Sequence, residues 1–155
     1  MKISLEKIKQ LRTKTKAGVG DCRQVLEEAK GDLKKAEALL KAKGLKSAAK
    51  REGRETCQGL IEAYTHAGGQ VVGVVELLCE TDFVAKTEDF KNLAHEMAMQ
   101  IAAMGGKKAA DFLKQDWIRD ESKTIDDLLK ELIAKTGENI TVGRIAQFKL
   151  GESKK

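Results

Sequence analysis

The chain has no proline anywhere, and aromatic residues make up 4% of its 155 positions. Without proline, helix and strand ends must be set by glycine and by capping side chains. With so few rings, it lacks the interleaved stacking platforms by which single-stranded RNA is read. Cysteine is scarce and odd in number: Cys22, Cys57 and Cys79, with no Cys-x-x-Cys pair. That usage fits reduced thiols in a cytoplasmic protein. The histidines are His66 and His95, too far apart to act as a zinc pair and without ligand-spaced cysteines. No apolar run approaches the roughly 18 residues that span a bilayer. The start, Met1-Lys2-Ile3-Ser4-Leu5-Glu6-Lys7, has no apolar signal core. Neither the Gly-x-x-x-x-Gly-Lys-Ser/Thr nor the Gly-x-Gly-x-x-Gly phosphate loop occurs. No nucleophile-and-base pair stands out, the weak pairing of Cys79 with His95 included. The expectation is a protein that is not an enzyme, needs no cofactor or metal, avoids membranes and acts by binding.

What the chain does have is charge, unevenly placed. Residues 1–55 hold 16 Lys and Arg against 8 Asp and Glu, while residues 56–155 hold 13 against 16, within a net charge of +5. A basic front half faces either nucleic acid or an acidic protein surface.

Apolar spacing at Ile3, Leu5, Ile8 and Leu11 predicts a first helix over 3–14, broken by Gly18 and Gly20. A second, over 21–30, carries Cys22, Val25, Leu26 and Ala29 on one face. Gly31 ends it and Asp32 caps a third, over 33–43, with Ala36, Leu39 and Leu40 inward and Gly44 as its stop. Residues 46–55 read as a basic linker helix. A second module then spans 56–155. Its strand-like runs 57–65 and 70–79 flank His66-Ala67-Gly68-Gly69, a hairpin signal. A helix over 88–103 presents Phe90, Leu93, Ala94, Met97, Ile101 and Met104, with the methionines as core filler, and Gly105-Gly106 ends it. Residues 107–123 offer only scattered anchors. A helix over 125–135, capped by Ser122 or Thr124, leads to a last strand over 140–150. The class is α+β: a helical bundle on residues 1–45, the linker helix, then a three-stranded antiparallel sheet with helices on one face. All three cysteines fall on apolar positions and are expected in cores.

The densest signal is Glu76-Leu77-Leu78-Cys79-Glu80-Thr81-Asp82-Phe83-Val84-Ala85, where a covered strand passes to a helix starting near Glu88. Thr81 or Asp82 is placed to cap the first turn. Phe83 either packs inward, as most rings just after a cap do, or projects from a fixed turn. This stretch resembles the signature of elongation factor Ts, the guanine-nucleotide exchange factor family of bacterial translation. Two further stretches are similar to the family in the same order: Leu11-Arg12-Thr13-Lys14-Thr15-Lys16-Ala17-Gly18 with Asp21-Cys22 and Glu28-Ala29-Lys30-Gly31-Asp32, and Gly137-Glu138-Asn139-Ile140 with Leu150-Gly151-Glu152.

The resemblance implies a ubiquitin-associated-like bundle over residues 1–45 and elongation factor Tu as partner. It implies that Thr81, Asp82, Phe83 and Val84 disturb the partner's magnesium site and that Arg12, Val19 and Gly20 dock on it. Four departures bear on this. Lys16 stands where the family usually has glycine, and Val19-Gly20 where it has a methionine pair. Thr141-Val142-Gly143-Arg144-Ile145 replaces paired arginines and a phenylalanine. The chain also passes from Gly105-Gly106 almost directly to the family's last segment, leaving a single core half. Short members compensate by pairing, so a homodimer through the sheet is expected. The residues by themselves leave open a basic nucleic-acid-binding module and a ubiquitin-associated-type adaptor. They are distinguished by salt-dependent RNA or DNA affinity against capture of the nucleotide-free GTPase.

Overall fold

A computed structural model describes residues 3–152. Its first elements are α1 (Leu5–Thr15), α2 (Val19–Glu28) and α3 (Leu33–Arg51). Ser4 caps α1 through the Lys7 amide, and the Asp32 carboxylate caps α3 by accepting from the Lys34 and Lys35 amides at 2.9 and 3.1 Å. Ile8, Leu11, Cys22, Val25, Leu26, Ala29 and Ala36 form one buried cluster between the three helices. Three expectations change. Leu5 is exposed, because it lies on the outer side of the first turn. The second helix starts at Val19, so Gly20 sits inside its first turn. The third helix does not stop at Gly44. It runs on through the predicted linker to Arg51, and a Cβ at Gly44 would meet Ala134 at 3.3 Å. Gly44 therefore marks where another helix comes close. Packing there offsets the roughly 0.5–1 kcal/mol that a mid-helix glycine costs.

The sheet is β1 (Gln58–His66), β2 (Val71–Cys79) and β5 (Ile140–Lys149), antiparallel in the order β1-β2-β5. The apolar β2 is thus the central strand, as its run of valines and leucines requires. Gly73, Val75, Leu77 and Cys79 alternate onto its buried face. That face lies under α5 (Glu88–Met104), whose Phe90, Leu93, Ala94, Met97, Ala98 and Ile101 are buried. The approach is very close at Gly73: an added Cβ would stand 2.1 Å from the Ala98 carbonyl oxygen. Met104, expected in the core, is exposed because α5 outruns the sheet at its last turn. The helix α7 (Ile125–Thr136) buries Ile125, Leu129, Leu132 and Ile133. Thr124 and Asp127 close a reciprocal capping box at its start. Ala48 of α3 joins this second cluster, so α3 touches both. The opposite face of the sheet carries Ile61 and Phe148, 64% and 62% exposed, beside the half-buried Val72, Val74 and Leu78.

The stretch that resisted reading folds as α6 (Ala109–Leu113), β3 (Asp116–Trp117) and β4 (Asp120–Thr124). Phe112 anchors it in the core, Trp117 and Arg119 bond to Glu96 of α5, and a buried Gln100 ties it down further. Gln100 donates to the Gln115 side chain and the Asp116 carbonyl and accepts from the Ile118 amide, at 2.9 to 3.1 Å. Cys22 and Cys79 are buried as expected, but Cys57 is exposed, since it precedes β1 outside the core.

Candidate functional site

Between β2 and α5 the chain makes α4 (Asp82–Ala85), a single turn. Thr81 is extended (φ −125°, ψ 156°) and its hydroxyl faces the Val84 amide at 3.5 Å, so Thr81 rather than Asp82 occupies the cap position. Thr87 caps α5 in turn, and its hydroxyl donates to the Val84 carbonyl at 2.7 Å. Val84 is buried and seats the turn on the core. Phe83 points the other way. It is 80% exposed, whereas Phe90 and Phe112 are at 0%, which decides between core filler and presented ring. Asp82 is exposed as well and pairs with Lys86 at 2.7 Å. The hydrogen bond from Lys86, helped by its charge, holds the Asp82 carboxyl below its usual range, so it stays ionised.

The turn is braced from the far end of the fold. The Glu138 carboxylate accepts from the Thr81 amide at 3.0 Å and from the Thr81 hydroxyl at 2.6 Å. The neighbouring residues exchange a second set. The Asn139 amide donates to Glu80 at 2.6 Å, the Asn139 side chain donates to the Arg54 carbonyl at 2.8 Å, and Arg54 faces Glu80 at 3.5 Å. Cys79 adds a weak bond from its thiol to the Thr81 carbonyl. Burial and then the nearby Glu138 charge push that thiol up to about 11, so it stays protonated and serves as a donor. The sequence pattern by itself assigns no role to Glu80, Glu138, Asn139 or Arg54. Gly137-Glu138-Asn139 was visible as a motif, but nothing local to it points to a partner 57 residues earlier.

Arg12, Val19 and Gly20 gather at a different corner, where α1 turns into α2 through Lys16 in the left-handed region (φ 58°). All three are exposed, Val19 at 50%, and a Cβ built on Gly20 would meet nothing within 4 Å. Beside this corner runs a groove between α3 and α7 lined by Lys14, Lys16, Lys41 and Lys130 among others. Three of the front half's 16 cations meet the chain's own acids there and nearby: Lys14 with Glu37, Lys43 with Glu28, Lys41 with Asp127. Among the described residues no cluster of three or more His, Cys, Asp and Glu is placed to hold a metal, and no helix is long and apolar enough to cross a membrane.

The family model described as Elongation factor TS matches residues 80–155, which include the turn, Glu138 and the last strand. Relatives agree over nearly the whole chain. Elongation factor Ts of Coprothermobacter proteolyticus is 42% identical, covering 98% of this chain and 100% of the relative. Elongation factor Ts of Leptospira biflexa is 43% identical, covering 97% and 99%. That of Caldanaerobacter subterraneus is 40% identical, covering 97% and 98%. The first alignment runs over 197 positions against the 155 residues here, so that relative holds residues this chain lacks. With 40% or more identity along almost all of its length to translation elongation factors of one kind, the chain belongs to the elongation factor Ts family.

Proposed function

We propose that the chain is a guanine-nucleotide exchange factor that binds elongation factor Tu, disturbs its magnesium site and speeds GDP release. Exchange of this sort makes and breaks no covalent bond. The factor binds the nucleotide-free GTPase more tightly than the loaded one, and the nucleotide is weakened by the same ratio. A ligand indifferent to the two states shifts nothing. The differential contact therefore belongs beside the phosphates or the metal. Phe83 wedges between side chains there, and Asp82 disturbs the charge balance around the ion. Magnesium demands near-ideal octahedral geometry, so small displacements weaken it sharply. Thr81 orients the turn and Val84 seats it.

Magnitudes limit what each group can do. A thousandfold weakening of nucleotide requires about 4 kcal/mol of differential contact. Burying the Phe83 ring supplies about 2–3 kcal/mol, so the Asp82 carboxylate must carry the remainder. The single observation behind this reading is the exposure of Phe83 on a turn that its neighbours hold rigidly.

In this reading residues 1–45 form the docking module, through Arg12, Val19 and Gly20, residues 46–55 join it to the rest, and residues 56–155 present the turn. The chain works as a homodimer. Its open sheet face, with Ile61, Val72, Val74, Leu78 and Phe148, is the surface that a two-fold copy covers. The test is the rate of labelled GDP release from elongation factor Tu with and without the chain, together with sedimentation of the chain alone. Acceleration and a two-chain mass support the proposal. Release at the spontaneous rate, with salt-dependent RNA affinity in its place, rejects it.

A further inference from the structure

We infer that Glu138 is a positioning residue for the exchange turn: by holding Thr81 through two hydrogen bonds it fixes the direction in which Phe83 leaves the surface. This rests on the exchange reading above and adds to it a part of the fold far from Phe83 in sequence.

The need for such a residue follows from the size of α4. One turn of helix has no stability of its own, since nucleation is costly and is repaid only by later turns. Val84 is the one side chain of the turn that is buried. The Thr81 hydroxyl barely reaches the Val84 amide, at 3.5 Å. The bonds from Thr87 to the Val84 carbonyl, from Lys86 to Asp82 and from Cys79 to the Thr81 carbonyl tie the turn only to residues beside it in sequence, and leave it room to swivel when its exposed ring meets resistance. A wedge that swivels does no work on what it enters.

Glu138 removes that freedom. Thr81 has two donors, its backbone amide and its hydroxyl, and both end on one carboxylate. Charged acceptors make the stronger hydrogen bonds, and two accepted by one carboxylate from the amide and hydroxyl of a single residue fix orientation as well as distance. The carboxylate is itself held. Gly137 terminates α7 in the left-handed region (φ 76°), with its amide on the Ile133 carbonyl at 2.9 Å. The Glu138 amide donates to the Thr136 hydroxyl at 3.3 Å, and Ile133 and Leu132 sit in the core. Asn139 and Glu80 lock the same two segments one residue further along. The load on Phe83 thus passes through Thr81 and Glu138 into α7 and β5 instead of turning α4.

Glu138 is half-buried and both of its oxygens are taken by Thr81, so the carboxylate acts on the turn. Its loss is expected in the maximal rate rather than in affinity. A residue needed only for folding would lower the melting temperature and leave the maximal rate of the folded fraction alone.

The experiment titrates elongation factor Tu loaded with labelled GDP with the parent chain, Phe83→Ala, Glu138→Ala, Glu138→Gln, Thr81→Val and the Glu138→Ala/Thr81→Val pair. Amide hydrogen exchange of residues 82–85 is followed in each free chain. Glu138→Ala is expected to lower the maximal acceleration roughly tenfold, by the loss of charge-assisted bonds. The half-saturating concentration stays within about twofold. Amides 82–85 exchange faster. Glu138→Gln, which keeps an acceptor for the Thr81 amide, restores part of the rate, and the pair is no slower than the worse single variant. Parent-like maximal rate in Glu138→Ala, with Phe83→Ala slow, overturns the positioning role and leaves the exchange reading standing. Parent-like rate in Phe83→Ala overturns the exchange reading instead, and unchanged amide exchange in Glu138→Ala then overturns the bracing as well. Should Glu138→Ala not fold, Thr81→Val puts the same question from the other side of the bond.

Discussion

Thr81–Val84 and the Arg12–Gly20 corner are both exposed, and both are proposed to touch the partner, but they are built differently. The first stands on a single helical turn tied by side chains to a loop 57 residues away. The second sits at the joint of two full helices, with Leu11 and Cys22 buried beneath it, and its tie to α3 is the exposed Lys14–Glu37 pair at 2.7 Å rather than a half-buried brace. A group that must push on its target needs a rigid support behind it. A group that need only rest on its target needs area and charge. The bracing at Thr81, and its lack at Val19, match those two tasks.

Disturbing the β2–α5 packing of the sheet module that carries the braced corner is expected to have the largest effect on stability. Gly73→Ala drives a methyl toward the Ala98 carbonyl and the Ala102 amide, at 2.1 and 2.5 Å, where backbone cannot give way easily. The expected loss is about 3 kcal/mol, the upper range for overpacking. Hydrogen exchange should show β2 and α5 losing protection while α1 and α2 keep theirs. Equal loss in both would mean that the two regions stand or fall together.

Next in size are changes at the docking corner. Arg12→Ala should raise the half-saturating concentration about fivefold, more so at low salt, without changing the maximal rate. Gly20→Met has room to grow and removes a helical glycine, so it should tighten docking a few-fold and stabilise α2 by about 0.5–1 kcal/mol. A fall in maximal rate from either variant would erase the distinction between the corners.

The smallest effect is one the two regions share. The Lys35 and Lys34 amides hold Asp32 below its ordinary value of 3.8, and the Thr124 amide does the same for Asp127. A carboxyl with a lowered folded pKa adds stability above its unfolded value and loses it as pH falls toward the folded one. The melting temperature should therefore be flat from neutral pH to about 5 and decline below about 4. Asp127→Asn should soften that decline for the α7 side only, as read by hydrogen exchange at acid pH.

Local pattern carried most of the architecture. Glycine and Asp or Thr caps marked the helix ends, and Val71–Cys79, apolar but for Glu76, announced a central strand. What it missed was set at a distance. Gly44 looked like a stop because glycine usually is one, but α7 lies against it and the helix continues. Residues 107–123 are held by Gln100 on another helix, so their own sequence carries no period to read. Cys57 sits in an apolar pattern just before β1, where nothing covers it. At the site, Thr81, Asp82, Phe83 and Val84 were identifiable from the motif, and the direction of Phe83 was not. That direction depends on Glu138, whose contact with Thr81 exists only once β5 has paired with β2.

The most direct measurement is the release of labelled GDP from elongation factor Tu at a saturating concentration of Phe83→Ala, with binding checked separately. The variant is expected to fold, still bind and release GDP at close to the spontaneous rate. Release as fast as with the parent chain would contradict the exchange reading.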